Sequence, residues 1–262
     1  MNCIIYIVMF FVIQLVATAG IMTLTWANGD NPFELGSLQQ LLVAAISAVL
    51  CIAWFVWRRW SPVSMEWLRQ RPVTVLVWTF IAVLGTMIPS FWLQERLAFL
   101  PDIASENLEE MMGFRGAYFV LGILVPFSEE LVFRGAVLRS LLERHATSGS
   151  TRSHWWPIAL SAILFALAHM NPAQMPHAFL LGLLLGWLYA RTGSIVPGLL
   201  VHVVNNTVSY LMTRAYPHMP DLTLKQLFGG SDMHVGLAIV FSLCLLLPAL
   251  YQLNLRMKKE TA

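Results

Sequence analysis

Long apolar runs broken by short polar clusters set the pattern of this chain. Met1 to Gly29 contains no charged residue, more than the roughly 20 apolar residues that cross a hydrocarbon core. Ala17-Thr18-Ala19 has the small-x-small form of a leader cleavage site, yet no Lys or Arg precedes the run and it is long for a leader, so a retained first helix is predicted. A turn cluster, Asn28-Gly29-Asp30-Asn31-Pro32, leads to a second run from Leu35 to Trp57 that stops at Arg58-Arg59, and a third runs from Pro72 to Leu93. Leu100 to Arg115 mixes acids with apolar residues at helical spacing and predicts an interfacial amphipathic segment rather than a span.

The fourth run starts near Gly116, passes Pro126 and ends near Arg139 and Arg144. Pro126 predicts a kink there. Trp155 to Met170 is a fifth run, ending at Asn171-Pro172, and His177 to Ala190 is a sixth, so the two form short helices around a Pro-bounded turn, expected as a hairpin tip inside the protein beside a cavity open to the cytoplasm. Arg191-Thr192-Gly193-Ser194 punctuates before a seventh run from Ile195 to Met212, and an eighth covers Met233 to Leu255. No repeat and no low-complexity segment interrupts the pattern.

Composition makes the solvent explicit. Hydrophobic residues are 58% of the 262 and charged ones only 11%, with a mean hydropathy of +0.68, whereas soluble domains carry about 25% charged residues. The expectation is an all-α, polytopic membrane protein of about eight spans, one membrane domain over 1–262 with 100–115 interfacial and 116–212 as its core. The net charge of +2 gives no basis for a nucleic-acid partner. With both termini cytoplasmic, inner loops and tail hold eleven basic residues: Arg58, Arg59, Arg69, Arg71, Arg139, Arg144, Arg152, Arg191, Arg256, Lys258 and Lys259. Outer loops then hold four, Arg96, Arg115, Arg214 and Lys225. That excess predicts both ends inside a cytoplasmic (inner) membrane. Cys3, Cys51 and Cys244 sit singly in apolar runs, with neither disulfide nor metal-ligand spacing.

Ionisable residues inside spans are functional candidates by default. Glu129, Glu130 and Arg134 lie in the fourth run, His169 in the fifth, His202 and Asn206 in the seventh. On a helix Glu130 and Arg134 pair at i,i+4 while Glu129 points about 100° away. One carboxylate is thereby accounted for and Glu129 is left available. His202 and Asn206 share a face by the same spacing. Glu109-Glu110 with Arg115 imitates the first cluster with one residue too many and predicts a solvated face. Gly182 and Gly186 predict close helix packing.

Together these residues resemble the CAAX protease and bacteriocin-processing (CPBP, Abi-type) membrane proteins, which include the Ras-converting CAAX endopeptidases. The family's Glu-Glu-x-x-x-Arg motif corresponds to Glu129, Glu130 and Arg134, its Phe-x-x-x-His to Phe165 and His169, and its His-x-x-x-Asn or Asp to His202 and Asn206. Leu181-Gly182 to Gly186 and Thr192-Gly193-Ser194-Ile195 also look like the family's connecting sequence, so the likeness covers roughly Pro126 to Tyr210.

The resemblance implies a glutamic intramembrane endopeptidase acting on a peptide or protein substrate, lipidated or not, amid membrane lipid. General chemistry is compatible, since a carboxylate withdrawn from water is a stronger base than one in solution. Glu129 would take a proton from water that His169 helps to hold. His202 and Asn206 would donate to the developing oxyanion, and Glu130 held by Arg134 would keep the pocket rigid. This scheme needs no cofactor. The alternative is zinc on Glu129, His169 and His202, although no two of these lie at i,i+4 on one helix. A non-catalytic scaffold or immunity factor, and an ion or proton pathway, are the readings outside catalysis.

Overall fold

Each apolar run folds as one helix, because backbone groups without water to bond must bond within their own segment. The computed structural model describes residues 2–64, 73–147, 155–216 and 222–257. Among these the chain forms α1 (Asn2–Ala27), α2 (Ser37–Trp57), α3 (Thr74–Arg96), α4 (Ser105–Gly113), α5 (Tyr118–Thr147), α6 (Trp155–Ala168), α7 (Met175–Thr192), α8 (Val196–Ala215), α9 (Leu224–Leu227) and α10 (Asp232–Arg256), with no strand. Of the basic residues expected to set orientation, Arg69, Arg71, Arg152, Lys258 and Lys259 lie outside the described residues.

The molecule is an integral membrane protein of all-helical architecture. Its count of self-sufficient spans is smaller than the eight expected. α1, α2, α3 and α10 are long and apolar enough to cross a membrane, and α4 with α5, bent by 116° between them, makes a fifth if taken as one span. α6 has only 14 residues, and α7 and α8 carry His177, His202, Asn205 and Asn206. Those polar groups lower apolarity without facing lipid, because they bond across helices. Length and apolarity therefore single out the lipid-facing helices and pass over the inner ones.

α5 is the centre of the bundle. It touches α1, α2, α6, α7 and α8, and every residue from Leu131 to Leu138 is buried, as suits a stretch apolar on all sides apart from one arginine. Pro126 does not break the helix. Wide, π-type turns at Tyr118–Leu124 and Leu131–Leu138 flank ordinary α-helix at Val125–Glu130, and the chain runs through the proline as one continuous helix.

Around α5 the remaining helices pair through small residues. A Cβ on Gly182 would stand 3.1 Å from Ala162 Cα, and one on Gly186 would stand 2.9 Å from Ile158 Cγ2. The two glycines thus let α7 close on α6, as expected of Gly-x-x-x-Gly. α3 lies along α10 in the same manner, with a Cβ on Gly85 falling 2.7 Å from the Leu246 backbone nitrogen.

The turn between α6 and α7 has a clasp that the sequence did not predict. It lies buried at Asn171 and is fastened to the segment between α3 and α4. Asn171, 1% exposed, donates from Nδ2 to Asp102 Oδ1 at 2.9 Å and accepts from the Ile103 N–H at 3.2 Å. The Ala173 N–H adds a bond to the Pro101 carbonyl at 3.3 Å. Asp102 also accepts from the N–H groups of Ala104 and Ser105 at the start of α4, and Ser37 at the head of α2 bonds Glu110. Buried polar turn groups need partners, and this segment supplies them.

Gly85→Leu is expected to lower the melting temperature in detergent, since the α10 backbone must move and overpacking costs about 1–3 kcal/mol. Gly20→Ala, with open space around the new methyl, is the control and leaves the melting temperature unchanged or raises it slightly.

Candidate active site

The polar residues singled out in the sequence converge where α5, α6 and α8 meet. Arg134 Nη1 donates to Glu130 Oε1 at 2.9 Å, within one turn of α5, and the pair is sealed, with the side chains 1% and 0% exposed. Glu130 Oε1 also meets His202 Nδ1 of α8 at 3.1 Å. The other ring nitrogen of His202 lies 3.5 Å from Glu129 Oε2. One imidazole therefore stands between two adjacent carboxylates. A ring protonated on both nitrogens can donate to both, whereas a neutral ring can donate to only one.

The two glutamates differ in access. Glu129 is 19% exposed and Glu130 is 0%, so only Glu129 can receive water or a substrate without dismantling the core. α8 comes this near because position 198 is glycine: a Cβ there would sit 3.0 Å from Glu130 Oε2.

Beneath the ion pair lies Phe165 of α6. The Arg134 guanidinium carbon stands 4.4 Å from its ring centroid, a cation over an aromatic face. The edges of the same ring meet Phe133 at 5.2 Å, His169 at 4.9 Å and His202 at 5.7 Å between centroids. His169 lies one turn beyond it, and its Nδ1 sits 2.9 Å from the Phe165 carbonyl. A carbonyl can only accept, so Nδ1 carries the hydrogen, and in the neutral ring Nε2 holds the lone pair.

Glu129, Glu130, Arg134 and His202 are in direct contact, and His169 joins them through Phe165. Asn206 reaches across to α5. Its Nδ2 donates to the Leu121 carbonyl of α5 at 3.0 Å, and its Oδ1 accepts from Asn205 Nδ2 at 3.3 Å. Asn205 in turn meets His177 Nε2 of α7 at 3.1 Å through Oδ1. Both members of the expected oxyanion pair thus hold contacts within the fold, the histidine to carboxylates and the asparagine, through one of its two Nδ2 hydrogens, to backbone. Phe165 as the ring shared by Arg134 and both histidines, Gly198, and the Asn205–His177 pair escaped the sequence reading. The signals that pointed to that pair were Asn205 beside Asn206 in an apolar run and His177 close to the hairpin tip.

The zinc alternative needs three ligands around one point. Among the described residues no three His, Cys, Asp or Glu side chains stand together in that way, and His202 already directs both nitrogens at carboxylates. The residues as placed do not fit a metal site.

Residues 112–208 match the family of type II CAAX prenyl endopeptidases, Rce1-like, a stretch that contains all three motifs, so the resemblance seen in the motifs holds. Over 86 residues the chain is 28% identical to the UPF0177 protein YxdF of Lactococcus lactis subsp. lactis (strain IL1403), covering 32% of this chain and 42% of that protein. The chain thus spans less than half the length of this curated relative. No solved structure matches it.

Removing one member of the sealed ion pair leaves the other buried and uncompensated, at a cost of about 3–5 kcal/mol. Arg134→Leu is expected to lower the detergent melting temperature sharply, and Arg134→Leu combined with Glu130→Leu to recover part of the loss. A double variant no better than the single one would show that the pair is not the source of the loss.

Proposed function

We propose that this chain is an intramembrane endopeptidase that cleaves a peptide or protein substrate, lipidated or unmodified, with water activated by Glu129. The observation that carries this reading is the division of labour between adjacent carboxylates: Glu130 is locked by Arg134 and His202, while Glu129 is the accessible one. The match to a family of CAAX endopeptidases over the segment with the three motifs supports it.

In this mechanism Glu129 takes a proton from water, the water oxygen attacks the scissile carbonyl, and the carbon–nitrogen bond breaks as Glu129 returns the proton to the leaving amine. His202 donates from Nε2 toward Glu129 and the developing negative charge, held in place by Glu130 at Nδ1. His169, with its hydrogen committed to the Phe165 carbonyl, offers Nε2 to orient the water. Arg134 and Phe165 do no chemistry and hold Glu130 and the two rings rigid. The excess of Lys and Arg in alternate loops supports a reading with both termini on the cytoplasmic side of an inner membrane.

Purified wild type and Glu129→Gln, each with and without chelator, are to be compared on peptides with prenylated and unmodified tails. Cleavage is expected to fall at least about 100-fold on substitution, with an unchanged melting temperature and no effect of chelator. Equal cleavage by the variant would remove Glu129 as the base. Loss to chelator and recovery with zinc would replace the mechanism with a metal one. Wild type inactive on every peptide, with Glu129→Gln still supporting its role in cells, would favour the scaffold.

A further inference from the structure

Pro126 leaves a backbone group without its partner. In the wide-turn stretch each carbonyl takes its hydrogen bond from five residues on, as when the Val125 N–H bonds the Val120 carbonyl. The next carbonyl, that of Leu121, would take its bond from residue 126, and proline has no N–H to give. An unpaired carbonyl inside an apolar bundle is costly. Asn206 of α8 fills the gap, with Nδ2 3.0 Å from that oxygen.

The chemistry of this bond orders a chain of others. Because a carbonyl only accepts, Asn206 must turn Nδ2 toward Leu121, which leaves Oδ1 for Asn205 Nδ2 at 3.3 Å. Asn205 Oδ1 then faces His177 Nε2 at 3.1 Å, so His177 is the donor there. α8 holds α5 at three heights: Thr207 on Tyr118 through their hydroxyls at 2.9 Å, Asn206 on Leu121, and His202 on Glu130. Two of these contacts are made by the i,i+4 pair of the third motif, one to backbone and one to carboxylate.

We infer that Asn206 is a positioning residue that acts through the Leu121 carbonyl left unpaired by Pro126. It fixes the rotation of the acidic turn of α5 against α8, and with it the contact of both glutamates with His202. A donor that touched substrate would be indifferent to residue 126. A donor that replaces the proline's missing N–H becomes dispensable once that N–H is restored.

The test is a cycle of wild type, Asn206→Ala, Pro126→Ala and the double variant, read by melting temperature in detergent and by kcat and KM for peptide cleavage. The kcat arm rests on the proposed endopeptidase activity, and the melting arm does not. Asn206→Ala is expected to lower the melting temperature by several degrees and to lower kcat more than it raises KM. Pro126→Ala alone is expected to stay close to wild type, and the double variant to regain most of both losses. Equal loss on Asn206→Ala in the two backgrounds, no loss from Asn206→Ala alone, or melting regained without kcat would each overturn the proposal. If Pro126→Ala does not accumulate in membranes, Pro126→Leu supplies the same N–H. If no peptide is cleaved, additive melting losses alone overturn it.

Discussion

The arrangement depends on one constraint, a guanidinium and a carboxylate sealed in an apolar bundle. Neither charge survives there alone. Placing Glu130 and Arg134 one turn apart on the same helix neutralises them within α5, so the pair forms with the helix itself and does not wait for a neighbour. Every later contact is conditioned by it. Phe165 gives the guanidinium an aromatic face, His202 gives the carboxylate a second donor, and Gly198 removes the side chain that would hold α8 away. In the proposed mechanism this selects between two adjacent acids, since Glu130 is buried and paired while Glu129 keeps its access.

The second feature is how α5 carries non-standard backbone at membrane depth. Its proline leaves the Leu121 carbonyl short of a helical donor, and side chains from other elements bond this carbonyl and two more within the wide turns. Ser61, after α2, donates to the Leu131 carbonyl at 2.6 Å, Ser161 of α6 to that of Phe133 at 3.2 Å, and Asn206 of α8 to that of Leu121. Each bond is worth little net in water, yet leaving the Leu121 carbonyl bare would cost about 1–3 kcal/mol. These three residues therefore register three different elements against the helix that bears the glutamates. A widened helix so buttressed presents the acidic turn in a fixed rotation, as the proposed proton transfer over hydrogen-bond distances would require.

The periphery serves the same end. The Asp102–Asn171 bond closes the tip of the α6–α7 hairpin, so His169, next to that tip, is held from both sides: by its own helix through the Phe165 carbonyl and by the clasp on the turn. α4, bent sharply from α5, buries Met111 and Met112 and ties back to α2 through Glu110 and Ser37. Glu110 lies in the segment expected to be a solvated face, and it has found a partner there.

What the sequence determined by itself is what acts along one helix. Eight apolar runs became eight helices with ends shifted by few residues, because backbone bonding in an apolar solvent is local. Glu130 meets Arg134 for the same reason, and Gly182 and Gly186 close on α6 because their spacing makes a flat stripe on a single face. Only the tertiary structure decided which residues meet across helices. His202 lies between two carboxylates, Asn206 faces the Leu121 backbone, Phe165 links Arg134 to both histidines, and the hairpin tip is clasped by Asp102. Spacing fixes the face from which a side chain leaves its helix. The rotation and height of the neighbouring helix, set by glycine contacts and by the wide turns of α5, fix what it meets.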